Sequence, residues 1–141
     1  MTYSYTATSQ TLNNGVAIPF NDNGVQTGCS IKHSAGTPSF TLCRPGQYVV
    51  HFNANIANAT AESGVVSATL YVNGVAYPGA IAANTSAGTT DIGNIAFTVA
   101  VDVLPNCCAI RTNLPTTITV NNTGLQATYS NVALTITRKE W

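Results

Sequence analysis

Along residues 47–57 apolar and polar side chains alternate. Tyr48, Val50, Phe52, Ala54 and Ile56 fall on one side, and Val49, His51, Asn53 and Asn55 on the other. A period of two belongs to a β-strand, whose successive side chains point to opposite faces. The pattern recurs over 65–73, where Val66, Ala68, Leu70 and Val72 alternate with Val65, Ser67, Thr69 and Tyr71. That run ends at Asn73-Gly74, a pair suited to the left-handed backbone of a two-residue hairpin. A short return strand is expected over 75–77, interrupted by Pro78-Gly79. The longest run, 92–103, sets Ile95, Phe97, Val99, Val101 and Val103 against Asn94, Ala96, Thr98, Ala100 and Asp102. Residues 116–121 carry Ile118 and Val120, 121–124 turn the chain, and 132–137 close it with Val132, Leu134 and Ile136 inward. Shorter strands are expected over 16–20, 29–33 and 40–43. No stretch shows the spacing of an amphipathic helix.

Short alternating runs separated by Gly, Asn, Pro and Ser predict an all-β fold. The expectation is a two-sheet jelly-roll sandwich of about ten antiparallel strands. Its 141 residues suit one domain, with residues 1–15 as an arm or lead-in and 16–141 as the jelly roll. The alternation of Tyr3 and Tyr5 permits an added strand in that arm.

Composition changes the picture in one respect. Only 7% of the residues are charged, although 45% are hydrophobic, so the polar surface is Thr, Asn and Ser. Such a surface suits a protein that stays folded outside the cytoplasm or packs against copies of itself. The five basic residues, Lys32, Arg44, Arg111, Arg138 and Lys139, are scattered and net charge is zero. Nucleic-acid binding needs a basic stripe, so none is expected, nor is membrane insertion, since no apolar run approaches about 20 residues. The start, Met1 to Thr6, lacks the basic and apolar stretches of a secretory signal.

Candidate chemistry is sparse. Cys29 and Cys43 flank an apparent hairpin, and Cys107 and Cys108 are adjacent in a loop. Neither pair has the Cys-x-x-Cys spacing of a zinc site, so no metal is expected. Disulfides among the four, Cys29 with Cys43 or either with one of the loop pair, and free thiols in a reducing compartment both fit. The two histidines are His33, at the end of a short strand, and His51. The acids Asp22, Glu62, Asp91, Asp102 and Glu140 are dispersed, and no nucleophile elbow, zinc-binding His-Glu pair or phosphate loop occurs. No catalytic residue and no cofactor are expected, so the chain reads as a non-enzyme. The polar stretches 57–64, 84–91 and 106–114 read as exposed loops, where recognition by a sandwich concentrates. Tyr71 and Tyr77 are candidates for stacking a sugar, though ordinary strand tyrosines fit as well.

The order of the runs resembles a family. Val16-Ala17-Ile18-Pro19-Phe20 looks like its first strand. Phe40-Thr41-Leu42 before Gly46-Gln47-Tyr48-Val49-Val50 looks like an apolar strand followed by a Gly-x-Tyr segment. Leu70-Tyr71-Val72-Asn73-Gly74 looks like its long strand ending in Asn-Gly, and Ile118-Thr119-Val120-Asn121-Asn122 and Ala133-Leu134-Thr135-Ile136 look like its last two. Together they resemble the jelly roll of tumour necrosis factors and complement one-q globular heads, in its bacterial or phage branch. Unlike in many members, residues 1–15 are not a collagen-like Gly-x-y run, so a free-standing subunit or a cut-out domain is expected.

The resemblance implies a homotrimer with one sheet on the trimer axis. The faces that then meet neighbours are Val49, His51 and Asn53, then Ala96, Thr98 and Ala100, then Ala133 and Thr135. All are small or uncharged, and a sheet packed on its copies cannot hold unpaired ions. Three copies of His51 on such an axis would be placed to bind an ion or respond to pH. The expected role is a structural or decoration subunit of a phage virion or bacterial surface assembly, on a capsid, a fibre or the extracellular surface. The alternative is a recognition head that binds a glycan or surface receptor through its end loops.

Overall fold

The computed structural model describes residues 1–104 and 116–139. They form eleven strands: β1 (Thr2–Thr6), β2 (Gln10–Leu12), β3 (Asp22–Gln26), β4 (Ile31–His33), β5 (Phe40–Leu42), β6 (Gly46–Asn58), β7 (Gly64–Val72), β8 (Val75–Ser86), β9 (Gly93–Val103), β10 (Thr116–Asn122) and β11 (Ala127–Lys139). One sheet has the order β3-β1-β11-β6-β9, with β2 also on β11, and the other the order β4-β5-β10-β7-β8. Every pairing is antiparallel. The chain passes between the sheets from β3 to β4, β5 to β6, β6 to β7, β8 to β9, β9 to β10 and β10 to β11, which makes the sandwich a jelly roll.

The inward alternation of the longer strands is as the pattern predicts. Tyr48, Val50, Phe52, Ala54 and Ile56 of β6 are buried, and face Val66, Ala68 and Leu70 of β7 and Ile118 and Val120 of β10 in one core. Asn73 and Gly74 both have positive φ, 50° and 81°, the conformation a two-residue hairpin needs.

Three local features differ from expectation. Residues 16–20 are not a strand of either sheet. They make only isolated bridges, Ala17 with Asn121 and Phe20 with Thr37, and bury Ile18 and Phe20 completely. Pro19, with no N–H, could not continue a ladder there. The place beside the last strand is held by β1, so the first fifteen residues contribute β1 and β2. The return strand does not stop at Pro78-Gly79. It bulges, with residues 77–80 opposite Leu70 alone, and continues to Ser86; Gly79 takes φ +78° within the bulge.

The last strand is longer than its apolar period suggests. Ala127 and Tyr129 face inward at odd positions, and Val132, Leu134 and Ile136 at even ones. A bulge between Ser130 and Ala133 makes the change of parity, with Asn131 at φ 48°. One extra residue flips every later side chain to the other face. Below the bulge, Tyr129 donates from its phenol to Ser67 O (3.1 Å) and Asn122 Oδ1 (2.9 Å), while Asn122 Nδ2 donates to Leu12 O and Leu125 O, both at 2.9 Å. Burial pushes the Tyr129 phenol far above its ordinary value, so it stays a donor.

One buried group lacks such a partner. Thr2 Oγ1, on the inner side of β1, makes no hydrogen bond among the described residues. An unmet buried hydroxyl costs about 1–3 kcal/mol, and an apolar group of the same shape removes that cost. Thr2→Val is therefore expected to raise the unfolding free energy by about 1 kcal/mol in urea titration. A loss of stability would mean that the hydroxyl is hydrogen-bonded.

Candidate interaction face

The outer side of the first sheet is a lattice set by strand register. Tyr5, Ala133, Asn53 and Ala96 form one row across β1, β11, β6 and β9. Tyr3, Thr135, His51 and Thr98 form the next, and Thr137, Val49 and Ala100 the third. The sheet thus brings all eight face residues named from the sequence, on three separate strands, onto one continuous surface. His51, Asn53, Ala96, Thr98 and Ala100 are exposed; Val49, Ala133 and Thr135 are half-buried. Charge stays at the margin, in a rim row of Lys139, Gln47 and Asp102 and at Asp22 on the outermost strand, opposite Tyr5. Gln47 Nε2 donates to Asp102 Oδ1 at 3.2 Å.

Two contacts order this surface. His51 Nδ1 lies 2.9 Å from Thr98 Oγ1. Tyr3 and Tyr5 stack with ring centroids 5.5 Å apart over Gly24 of β3, where a Cβ would come within 2.7 Å of the Tyr3 ring. Sequence reasoning had the Tyr3/Tyr5 alternation but not its position, because nothing local shows that β1 lies beside β11.

The other candidates are elsewhere. Cys29 is exposed and Cys43 half-buried; the two do not bridge each other, and neither is bonded to another cysteine among the described residues. The β4–β5 register explains this, since Cys43 N donates to Ser30 O at 2.8 Å and Ser30 stands where a bridging partner would. Cys107, Cys108, Glu140 and the loop 106–114 lie outside the described residues. Tyr77 is half-buried and donates to Ala100 O at 2.9 Å, which ties β8 to the edge of the face. Of the end loops, 84–86 belong to β8. The segments that follow Asn58 and Ser86 touch, since a Cβ on Gly88 would lie 3.5 Å from Ala61 O. Asn58, fully buried, donates to Glu62 O and accepts from Thr60 N at 3.0 Å, and its own N–H donates to Ser86 Oγ at 3.0 Å. Beside them Ser9, Ile56, Thr89, Ile92, Thr128 and Ser130 line an open cavity of about 240 Å³.

His33 forms a cluster that the sequence does not reveal. Its Nε2 lies 2.8 Å from Thr37 O, and its Nδ1 lies 2.6 Å from Asn23 Oδ1 and 3.3 Å from Ser4 Oγ. Asn23 Nδ2 donates to His33 O at 3.1 Å, and the ring stacks on Phe40 at 4.1 Å. A serine, a histidine and an amide side chain together suggest a nucleophilic triad, but the geometry does not perform that chemistry. Serine and amide crowd the same nitrogen, the other is taken by a main-chain carbonyl, and Ser4 is fully buried. The cluster instead joins β1 and β3 of one sheet to β4 of the other.

Burial lowers the His33 pKa below its ordinary 6.5, opposed by the bond to the Thr37 carbonyl. The unfolded chain then takes up a proton before the folded one, so stability falls as pH drops below 6.5 and the loss ends below the folded value. Urea midpoints measured from about pH 8 to 5 are expected to fall in that direction, and His33→Gln is expected to flatten the slope. An equal slope in both proteins would place its origin elsewhere.

Eiger TNF from S. frugiperda superposes on this chain with a TM-score of 0.71, over 98% of this chain and 90% of that one. The fold is that of the tumour necrosis factors. Murine APRIL at pH 5.0 matches with a TM-score of 0.66 over 98% of both chains, and at pH 8.5 with 0.65 over 98% of this chain and 97% of that one. Sequence identity is 8% to Eiger TNF and 8–10% to the APRIL structures, so the likeness to tumour necrosis factors is one of fold. No protein-family model matches the chain, and no curated protein matches its sequence. Among the described residues no helix is long and apolar enough to cross a membrane.

Proposed function

We propose that this chain is a non-enzymatic homotrimeric surface module whose copies pack through the outer face of the first sheet. The observation that carries the reading is the three-row lattice of Tyr, Ala, Asn, Thr, Val and His, with carboxylates and ammonium groups only at its margin. A solvated sheet face normally carries Lys or Glu, whereas a face that closes on its copies must exclude unpaired ions. Small side chains there let the sheets approach closely. The tumour necrosis factor fold supports the same arrangement. The wider role that fits is a structural or decoration subunit of a phage virion or bacterial surface assembly, on the outside of the particle or cell.

Light scattering on a sizing column tests the trimer. A mass near three times 14.6 kDa is expected, and a monomer at micromolar concentration would overturn the reading. Co-sedimentation with particles, or their absence from the pellet, tests the wider role. A second reading, a recognition head for a glycan or surface receptor, is favoured by the cavity of about 240 Å³ beside the end loops, with its four hydroxyl side chains and exposed Ile92. Binding on a glycan array that Thr89→Trp abolishes, with trimer mass unchanged, would support that reading over a purely structural role.

A further inference from the structure

We propose that Asn73 modifies itself: the main-chain nitrogen of Gly74 attacks its side-chain amide, ammonia leaves, and the residue becomes aspartate or isoaspartate. The inference is independent of how copies of the chain assemble.

The chain holds three Asn-Gly pairs, beginning at Asn14, Asn23 and Asn73. Glycine has no Cβ to shield its nitrogen from the preceding side chain, so each pair is a candidate. All three asparagines are exposed, so exposure does not separate them. Their hydrogen bonds do. Asn14 Nδ2 donates to Thr123 O at 3.1 Å and Gly124 O at 2.8 Å, and Gly15 N donates to Asn122 O at 2.6 Å. Leaving group and nucleophile are both held there. Asn23 Oδ1 accepts from Ser4 Oγ at 2.6 Å, and its Nδ2 donates to His33 O at 3.1 Å. Turning that amide toward Gly24 N would break its links to β1 and β4.

Asn73 is the reverse case. Gly74 N and Asn73 Nδ2 have no hydrogen-bond partner among the described residues, so nucleophile and leaving group are free. The side chain is held instead by the atom that gains charge, since Thr117 N donates to Asn73 Oδ1 at 2.8 Å. A main-chain N–H aimed at a developing oxyanion stabilises it, as in acyl transfer. The positive φ of the β7–β8 turn explains why Asn and Gly stand there. The reactivity is a second consequence of the same pair.

The step balances with water and hydroxide alone. Hydroxide takes the Gly74 N–H proton, the nitrogen bonds to Asn73 Cγ, and Oδ1 carries the negative charge. The Cγ–Nδ2 bond then breaks, and Nδ2 takes a proton from water and leaves as ammonia. Water opens the resulting cyclic imide at either carbonyl. Opening at Cγ restores the main chain and leaves aspartate, which adds one negative charge to a chain of zero net charge and keeps an acceptor for Thr117 N. Opening at the main-chain carbonyl routes the backbone through Cγ. That lengthens a two-residue turn whose length fixes the β7–β8 register.

The test holds the purified full chain at mildly alkaline pH, natively and in urea, and follows each Asn-Gly site by fragment-ion mass spectrometry. In urea the three sites should react at similar rates. In the native chain Asn73 is expected to keep its rate, while Asn14 and Asn23 slow by about tenfold or more, as holding the reacting groups in hydrogen bonds should do. Asn73→Asp should abolish most of the ammonia that the native chain releases. An Asn73 slowed on folding as much as the other two, a native chain in which Asn14 or Asn23 reacts first, or ammonia release that survives Asn73→Asp overturns the proposal.

Discussion

Phe52→Ala is expected to cost about 3–5 kcal/mol of unfolding free energy, the usual range for emptying a core aromatic site. Phe52 is central to β6, pairs with Leu134 and Phe97 on the flanking strands, and is 1% exposed. Its ring stacks on Phe97 at 5.2 Å, so truncation removes an aromatic pair as well as buried area. The surrounding positions lie in continuous ladders that cannot close on the void without breaking hydrogen bonds, which keeps the cost high. Domains of this size are stable by about 5–15 kcal/mol, so about a fifth of the total or more is at stake. The urea midpoint reads it directly, and an unchanged midpoint would show that the ring is not packed between the sheets.

Thr98→Lys is expected to convert the proposed trimer to a monomer. The side chain points away from the core and is exposed in the single chain, so the fold itself should tolerate lysine. In the assembly three ammonium groups would enter a face without a carboxylate in its inner rows. Desolvation in a protein interior costs several kcal/mol per ion, which exceeds what neutral side chains can offset. Light scattering should show a threefold fall in mass, with the β-sheet circular dichroism retained. A variant that remains trimeric would mean that the trimer packs through another surface.

Much of the strand pattern is legible because it is local. Alternation along β6, β7 and β9 requires only that neighbouring side chains of a strand point opposite ways, and the Asn73-Gly74 turn requires only two residues that tolerate positive φ. The face residues could be named for the same reason, strand by strand, from the side left over when the apolar set turns inward.

The misreadings arise where local pattern and long-range pairing part company. Residues 16–20 have a strand's apolar content, yet they bridge the sheets because β1 already occupies the place beside β11. The period of β11 breaks at Asn131, where the strand bulges instead of ending. Ser67 and Thr69 alternate with the apolar set of β7 yet are buried as well, and Thr123 Oγ1 lies 2.9 Å from both hydroxyls. The cluster around His33 joins Ser4, Asn23 and Thr37, separated from it by 29, 10 and 4 residues, so no sequence window contains it.

By itself, then, the sequence determined the all-β class, the inward face of the long strands, the main hairpin and the uncharged character of their outer sides, since each follows from side-chain direction and turn chemistry within a few residues. Only the tertiary structure decided that β1, β11, β6 and β9 lie side by side and merge their outer sides into one face, that His51 meets Thr98, and that Cys43 faces Ser30. Those facts depend on strand order and register, which are set by which apolar faces close the core together and by single-residue bulges whose effect extends along the whole strand.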